Sequence, residues 1–371
     1  MKAAFFIGHH KTGSTSLQAF LAANYHRLLS EGILYPATEA EGIVTNLSVA
    51  LAGGDPGTIP KRMNVREPHN ALAFRLINEA VDAPLPIWHP NLPSGFQMLH
   101  LIDRQIAVLR PQHLVICSEV MSRFADKGHA KILPRMTNHF AAHDVTIVLN
   151  LRRPDLYLAS WHRQALRFGR PLPALRDGAL NRYKGTVHFH YETIVKRWRD
   201  AFPDARFVVR NYDDVNKAGG SVVDFFTQAE LPFAVSDSAA EIRSNPSIPY
   251  AMVEILRRAN AELGEDAQAV RQYLLGAMTR VETASNSEVE VFGAAQRDAL
   301  LEAFAPIHAE LNALLDVPMF FADIEEARRC NPVPELDAAR AALDELKKDV
   351  IARPTPDVVR GFISGLSLGP D

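Results

Sequence analysis

The sequence predicts an α/β protein: a doubly wound parallel sheet with helices on both faces and a helical C-terminal region. Three observations carry this. Four short runs with apolar centres, Ala3–Ile7, His113–Cys117, Val145–Leu151 and Arg206–Arg210, are continuous rather than alternating, as buried parallel strands are. Helically patterned stretches lie between them, which is the signature of βαβ units. From about Ser247 onward the chain reads as mostly helical.

The elements follow in order. Ala3–Ile7 runs into a glycine-bounded turn and then a helix over Thr15–Ala23. Helices over Leu99–Arg110 and Lys131–Ala142 precede the second and third strands. Pro154 suits the first turn of a helix reaching Leu166, because its missing N–H would be unpaired there anyway. Tyr191–Ala201 is a helix leading into the fourth strand, and Tyr250–Leu263 and Ala294–Leu315 are helices of the last third. Residues 1–330 read as one α/β domain. Two stretches in it, 36–98 and 167–190, read as lid or acceptor-binding insertions, because long irregular segments tend to be functional. Residues 331–371 read as a helical appendage. Pro332 and Pro334 introduce an amphipathic helix, Glu335–Ile351, with Leu336, Leu343, Leu346 and Val350 on one side.

Composition bounds the function. A chain of 371 residues, 47% hydrophobic and 22% charged, can bury a large core without disulfides or a structural metal. Lys plus Arg is 40 and Asp plus Glu is 43, a net charge of -3. That balance argues against a dedicated nucleic-acid or polybasic membrane binder. Two cysteines, Cys117 and Cys330, rule out a disulfide framework and suit a reducing compartment. The apolar run at the N-terminus is too short for a secretory signal. No apolar stretch approaches the ~20 residues of a membrane span. The expectation is a cytoplasmic protein with no integral membrane segment and no nucleic-acid partner.

Two segments carry chemistry. After the first strand comes Gly8-His9-His10-Lys11-Thr12-Gly13-Ser14-Thr15-Ser16. Such a turn aims backbone N–H groups and the positive end of a helix at one point, which makes an anion site. Gly8 and Gly13 have the spacing of a Walker A loop, but Ser14 stands where its lysine belongs, and the lysine has moved to Lys11. An ATPase or GTPase normally needs lysine at the later position. The second segment is Arg152-Arg153-Pro154-Asp155, with Ser160 eight residues beyond Arg152. Arg152 ends a strand, on the ligand side of such sheets. A guanidinium and a hydroxyl can clamp a second phosphate; an arginine paired with Asp155 is the plainer alternative.

Here the chain resembles a known family. His10–Gln18 (HKTGSTSLQ) is similar to the 5′-phosphosulfate loop of sulfotransferases that use 3′-phosphoadenosine 5′-phosphosulfate (PAPS). Arg152–Ser160 is similar to their 3′-phosphate motif, in the same order and spacing; the bacterial, carbohydrate-type branch is nearest. Ser118-Glu119 and Asn211–Val215 (NYDDV) add weaker support. The resemblance implies a P-loop-like fold and a PAPS donor released as 3′-phosphoadenosine 5′-phosphate (PAP). It implies transfer of a sulfuryl group to a hydroxyl or amine, on a small-molecule or glycan acceptor. Lys11 would stabilise the bridging and sulfuryl oxygens, and Thr12, Gly13, Ser14, Thr15 and Ser16 would hold the 5′-phosphate. Arg152 and Ser160 would hold the 3′-phosphate. The cytosolic enzymes' R-K-G segment is absent; Arg243-Ser244-Asn245-Pro246-Ser247 is the nearest substitute, and an Asn-Pro-Ser turn explains it as well.

An acceptor hydroxyl calls for a general base. Glu119, just past the second strand, is the first choice; His10 and His9 follow. An anchor for the phosphate loop is the structural alternative for Glu119. No metal is expected, since no cluster has ligand spacing. Arg163, Arg167, Arg170, Arg176, Arg182, Lys184, His188 and His190 make a basic stretch, suited to an anionic glycan, to closure over the donor or to a solvated face. Two other functions stay open. One is a P-loop kinase or phosphotransferase, which predicts Mg²⁺ dependence. The other is a non-catalytic nucleotide-binding scaffold.

Overall fold

The computed structural model describes residues 1–51, 62–235 and 247–369. Arg243 to Pro246 lie outside the described residues. The chain divides into two compact units. The first comprises residues 1–152, 186–244 and 308–320; the second comprises 153–185, 245–307 and 321–371.

The first unit is built on a five-stranded parallel sheet in the order β2-β3-β1-β4-β5. The strands are β1 (Lys2–Phe6), β2 (Ile33–Leu34), β3 (His113–Cys117), β4 (Asp144–Leu151) and β5 (Arg206–Asn211). The four apolar runs are four of these strands. The fifth, β2, has two residues, too few for a pattern to show. Register is in step across the centre: Phe6 pairs with Cys117 on one side and Val148 on the other.

Alternation along β1 explains why both faces are covered. Ala4 and Phe6 point to one face, into a core with Leu17, Phe20 and Leu21 of helix α1 (Ser14–Ala23) and Phe225 of the helix Ser221–Gln228. Phe5 points to the other, where its ring meets Phe140 edge-on at 4.9 Å and Phe202 at 6.0 Å. The stretch 36–98 holds more helix than its composition suggests: Ala40–Leu51, Met63–Arg66 and Pro68–Val81. Pro68 opens the last of these at its first turn. Ser94 caps the next helix, Gly95–Leu109, through a capping box with Gln97, which supplies two unpaired end groups with partners.

The second unit is helical, with a two-residue parallel ladder pairing Val289–Glu290 with Val333–Pro334. Its helices include Pro154–Arg167, Val253–Glu262, Ala267–Ala277 and Glu335–Ala352. On the last of these Leu343, Leu346 and Val350 are buried, as the amphipathic pattern predicts. No helix among the described residues is long and apolar enough to cross a membrane.

A buried ion pair fixes part of this unit. Arg297 donates to Glu290 through Nε at 3.0 Å and Nη2 at 2.8 Å, and to Ala327 O through Nη1 at 2.8 Å. Glu290 also accepts from the backbone N–H groups of Phe292, Gly293 and Asn331. Removing one partner of a buried pair costs more than the pair contributes, because a charge is left behind. Among the described residues, Glu290→Ala leaves Arg297 with a carboxylate only at Asp155, 3.7 Å away. Urea unfolding of that variant is expected to show a loss of about 3 kcal/mol; a loss below about 1 kcal/mol would contradict this account.

Candidate functional site

The carboxyl ends of β3, β1, β4 and β5 form one rim of the first unit's sheet, where ligands of parallel α/β sheets sit. The loop after β1 carries residues 8–13, β3 leads to Glu119, β4 to Arg152 and β5 to Tyr212. The ladder between β1 and β4 continues past β1 itself: Ile7 N–H donates to Val148 O and His9 N–H to Asn150 O, each at 3.0 Å. The phosphate-type loop and Arg152 therefore leave the sheet side by side.

Two residues of the loop have positive φ, Lys11 at 65° and Gly13 at 85°. Gly13 is required twice over. Its φ is one that only glycine adopts freely, and a Cβ there would lie 2.6 Å from Ser221 Oγ. That hydroxyl donates to Gly13 O at 2.8 Å, holding the loop. Gly8 is needed for close approach, since a Cβ would lie 2.4 Å from the Phe6 ring. Helix α1 starts at Gly13 with no side-chain cap and no acidic residue in its first turn. Glycine has no side chain to cap the leading N–H groups, which find no acceptor inside the helix.

The loop's side chains divide their work. Thr12 is buried and its hydroxyl donates to His9 O at 2.5 Å; what it offers an anion is its backbone N–H. The Ser14 hydroxyl is also buried and hydrogen-bonds Glu119. Lys11, Thr15 and Ser16 are partly exposed. His9 is fully buried, with Nε2 3.2 Å from Val187 O. Burial lowers its pKa to about 3, against the opposing hydrogen bond to Val187, so the ring stays neutral. The rings of His9 and His10 lie 6.0 and 5.8 Å from that of His188.

Glu119 sits at the centre of a polar cluster. Gln18 Nε2 donates to its Oε2 at 3.0 Å, and Asn70 Nδ2 to its Oε1 at 3.4 Å. His10 Nδ1 is 3.9 Å from Oε1. Asn70 also donates to Glu67 at 3.0 Å and accepts from Ser118 Oγ at 2.7 Å. Burial first, then the nearby Glu67 charge, raise the Glu119 pKa to about 7; hydrogen bonds from Ser14 and Gln18 oppose this. The carboxyl is thus half ionised near neutrality, the range suited to proton transfer. It also ties β3 to the first turns of α1, so the anchoring role is real whatever its chemistry.

Arg152 and Arg153 part company. Arg153 takes Asp155, at 2.8 and 3.0 Å, and Asp323 Oδ2 at 2.6 Å. Asp155 thus engages the neighbour of Arg152. Arg152 lies over the Tyr212 ring, 5.6 Å from its centroid, and its carbonyl accepts from Tyr191 OH at 3.0 Å. No carboxylate among the described residues pairs with Arg152. Ser160 is buried on the helix Pro154–Arg167 of the second unit, so the first unit's rim holds every candidate except Ser160. Trp161, on the same helix, is buried too, which reads as packing.

Sequence reasoning missed Asn70, Glu67 and Tyr212. Asn70 and Glu67 come from the stretch set aside as an insertion; the available signal was Pro68, a helix-start residue with polar neighbours. Tyr212 stood within the NYDDV segment, with no role attached.

Comparison with known proteins adds little. No family model matches the chain. An Archaeoglobus fulgidus protein described as uncharacterized is 34% identical over 135 residues, covering 35% of this chain and 35% of that protein. The chain thus matches about a third of that relative's length. No solved structure matches.

The raised Glu119 pKa has a consequence for stability. The folded state holds this proton to about pH 7, whereas the unfolded chain releases it near ~4.3. Between these values the folded state binds more protons, so the Glu119 contribution is complete below the unfolded pKa and is lost as pH rises through the folded one. The stability of the native chain minus that of Glu119→Gln should therefore fall between pH ~4.3 and ~7, by on the order of 3 kcal/mol. Denaturant melts across that range test it, and a pH-independent difference would refute the assignment.

Proposed function

We propose that the chain is a PAPS-dependent sulfotransferase with a P-loop-like fold, acting on a hydroxyl or amine of a carbohydrate or glycoconjugate. One observation carries this reading. An uncapped helix start with a loop lysine and a strand-end arginine leave neighbouring strands β1 and β4 at one rim. Two oxyanion sites on one rim fit a nucleotide phosphorylated at both ends, and a nucleoside triphosphate would leave Arg152 without a phosphate. The central position of β1, followed directly by the glycine loop, supports the P-loop-like assignment.

Bound PAPS supplies the sulfuryl group and departs as PAP. The backbone N–H groups at residues 12–16 and the hydroxyls of the partly exposed Thr15 and Ser16 hold the 5′-phosphate. Lys11 places a cation where charge develops on the bridging and sulfuryl oxygens. Arg152 fixes the 3′-phosphate from above Tyr212. Glu119, ionised above pH ~7, accepts the proton of the acceptor, a role typically worth ~10²–10⁴-fold. His10, 3.9 Å from Glu119, is the nearest alternative base. The arrangement asks for no metal ligand.

Two measurements test the donor. PAP without Mg²⁺ should raise the melting temperature, and ATP should do so poorly; stabilisation by ATP that appears only with Mg²⁺ would favour a kinase instead. Arg152→Ala should weaken PAP by about 30-fold, the loss of one charge-assisted contact. It should leave adenosine 5′-phosphosulfate, which lacks the 3′-phosphate, nearly unchanged. Equal losses for the two ligands would remove Arg152 from the 3′-phosphate site.

A further inference from the structure

Tyr191 touches both anion-binding elements of the first unit. It opens the helix Tyr191–Ala201 and is fully buried. Its hydroxyl donates to Arg152 O at 3.0 Å. Its ring meets that of His9, inside the glycine loop, edge-on at 4.9 Å and 79°. Arg152 O lies where the chain leaves β4, and His9 lies just past β1, so one rigid ring spans the exits of two neighbouring strands. His9 meets it from a fixed position. Its N–H donates to Asn150 O at 3.0 Å, and its Nε2 lies 3.2 Å from Val187 O, in the segment leading to Tyr191.

The helix that carries Tyr191 is itself anchored. Ile194, Val195 and Trp198 are fully buried, and the Trp198 indole stacks on Phe124 at 6.1 Å and on Phe202 at 5.7 Å. Val187 N–H donates to Asp126 Oδ1 at 3.3 Å, and Arg197 Nη1 to Asp126 O at 3.2 Å. Tyrosine has only two side-chain torsions, so engaging both ring and hydroxyl leaves it little freedom. Arg152 is then held at two places: its carbonyl by Tyr191, and its guanidinium over the Tyr212 ring, 5.6 Å from the centroid.

Coulomb attraction varies slowly with distance, so a loose arginine at the rim would draw in any phosphate-rich ligand. Hydrogen bonds from a guanidinium fork are directional, and they discriminate best when the fork is fixed before the ligand arrives. We propose that Tyr191 is a positioning residue that sets the spacing between the glycine loop and Arg152, and so selects nucleotides by where their second phosphate stands. The identity of the nucleotide rests on the PAPS reading; the contacts of the ring and the hydroxyl do not. The hydroxyl governs the Arg152 end and the ring governs the loop end, so the two contributions can be separated by substitution.

The test is equilibrium binding of three ligands to the full chain: PAP, its positional isomer adenosine 2′,5′-bisphosphate, which carries the same charge, and adenosine 5′-phosphosulfate. The native chain should prefer PAP to the isomer by about tenfold, the share of a misaligned charge-assisted contact. Tyr191→Phe removes the hydroxyl and keeps the ring. It should weaken PAP about fivefold, as one hydrogen bond goes, and leave adenosine 5′-phosphosulfate unchanged. The preference for PAP over the isomer should then shrink to about twofold. Tyr191→Leu, which removes the ring as well, should weaken adenosine 5′-phosphosulfate too. Equal losses of PAP and adenosine 5′-phosphosulfate in Tyr191→Phe would overturn the proposal and keep the donor reading, as would an isomer preference that this substitution leaves intact. The Phe variant decides the matter even where the Leu variant does not fold. A native chain that fails to bind PAP loses the donor reading, and the spacing role falls with it.

Discussion

The leading N–H groups of a helix have no acceptor within the helix. In α1 no side chain caps them, and no acidic residue lies in the first turn. The loop before α1 is held so that this end stays open. Ser221 pins Gly13, Thr12 turns its hydroxyl back onto His9, and Phe6 leaves no room for a side chain at Gly8. Each of these contacts spends polar or steric capacity on the loop's shape rather than on filling its mouth. An anion is the group that satisfies such an end, and the nearby strand ends supply what surrounds it.

Glu119 complicates that picture. A carboxylate beside an anion site repels the ligand unless its own charge is restrained. Burial and the Glu67 charge restrain it, raising its pKa to about 7, so near neutrality a proton is present about half the time. Hydrogen bonds from Gln18, Asn70 and Ser14 then hold the carboxyl in place whichever form it takes. Anchoring and proton transfer are compatible here: a base that is also a structural tie keeps its position as its charge changes. In the loop before α1, the buried His9 stays neutral and adds no charge of its own.

The legible parts of the sequence were those with a local physical signal. β3 and the helix Tyr191–Ala201 have the boundaries that the pattern predicts, because continuous apolar runs and helical periodicity report burial directly. The loop 8–16 was legible because glycine, hydroxyl and lysine side chains cluster between a strand and a helix. β2 was not, since two residues cannot establish a period. The helix Pro68–Val81 was hidden by the Pro, Gly and Asn residues of the stretch around it, and with it Asn70, whose importance comes from a neighbour 49 positions away in sequence. Division into two interleaved units was equally invisible, because it depends on which distant segments pack together.

The adjacent arginines show how far a motif can be trusted. Sequence spacing alone allowed Arg152 to be consumed by Asp155, which would have emptied the second oxyanion site. Geometry gives Asp155 to Arg153, whose guanidinium also reaches Asp323. Arg152 follows the last residue of β4 and Arg153 precedes the helix Pro154–Arg167, so one arginine can serve the fold while the other keeps its charge. Arg152 keeps it over the Tyr212 face, a contact that positions a guanidinium without neutralising it. An aromatic partner leaves the N–H edges of the fork available, whereas a carboxylate would occupy them. The asymmetry between the two residues, more than the presence of the motif, is what makes a second anion site at this rim a physical argument.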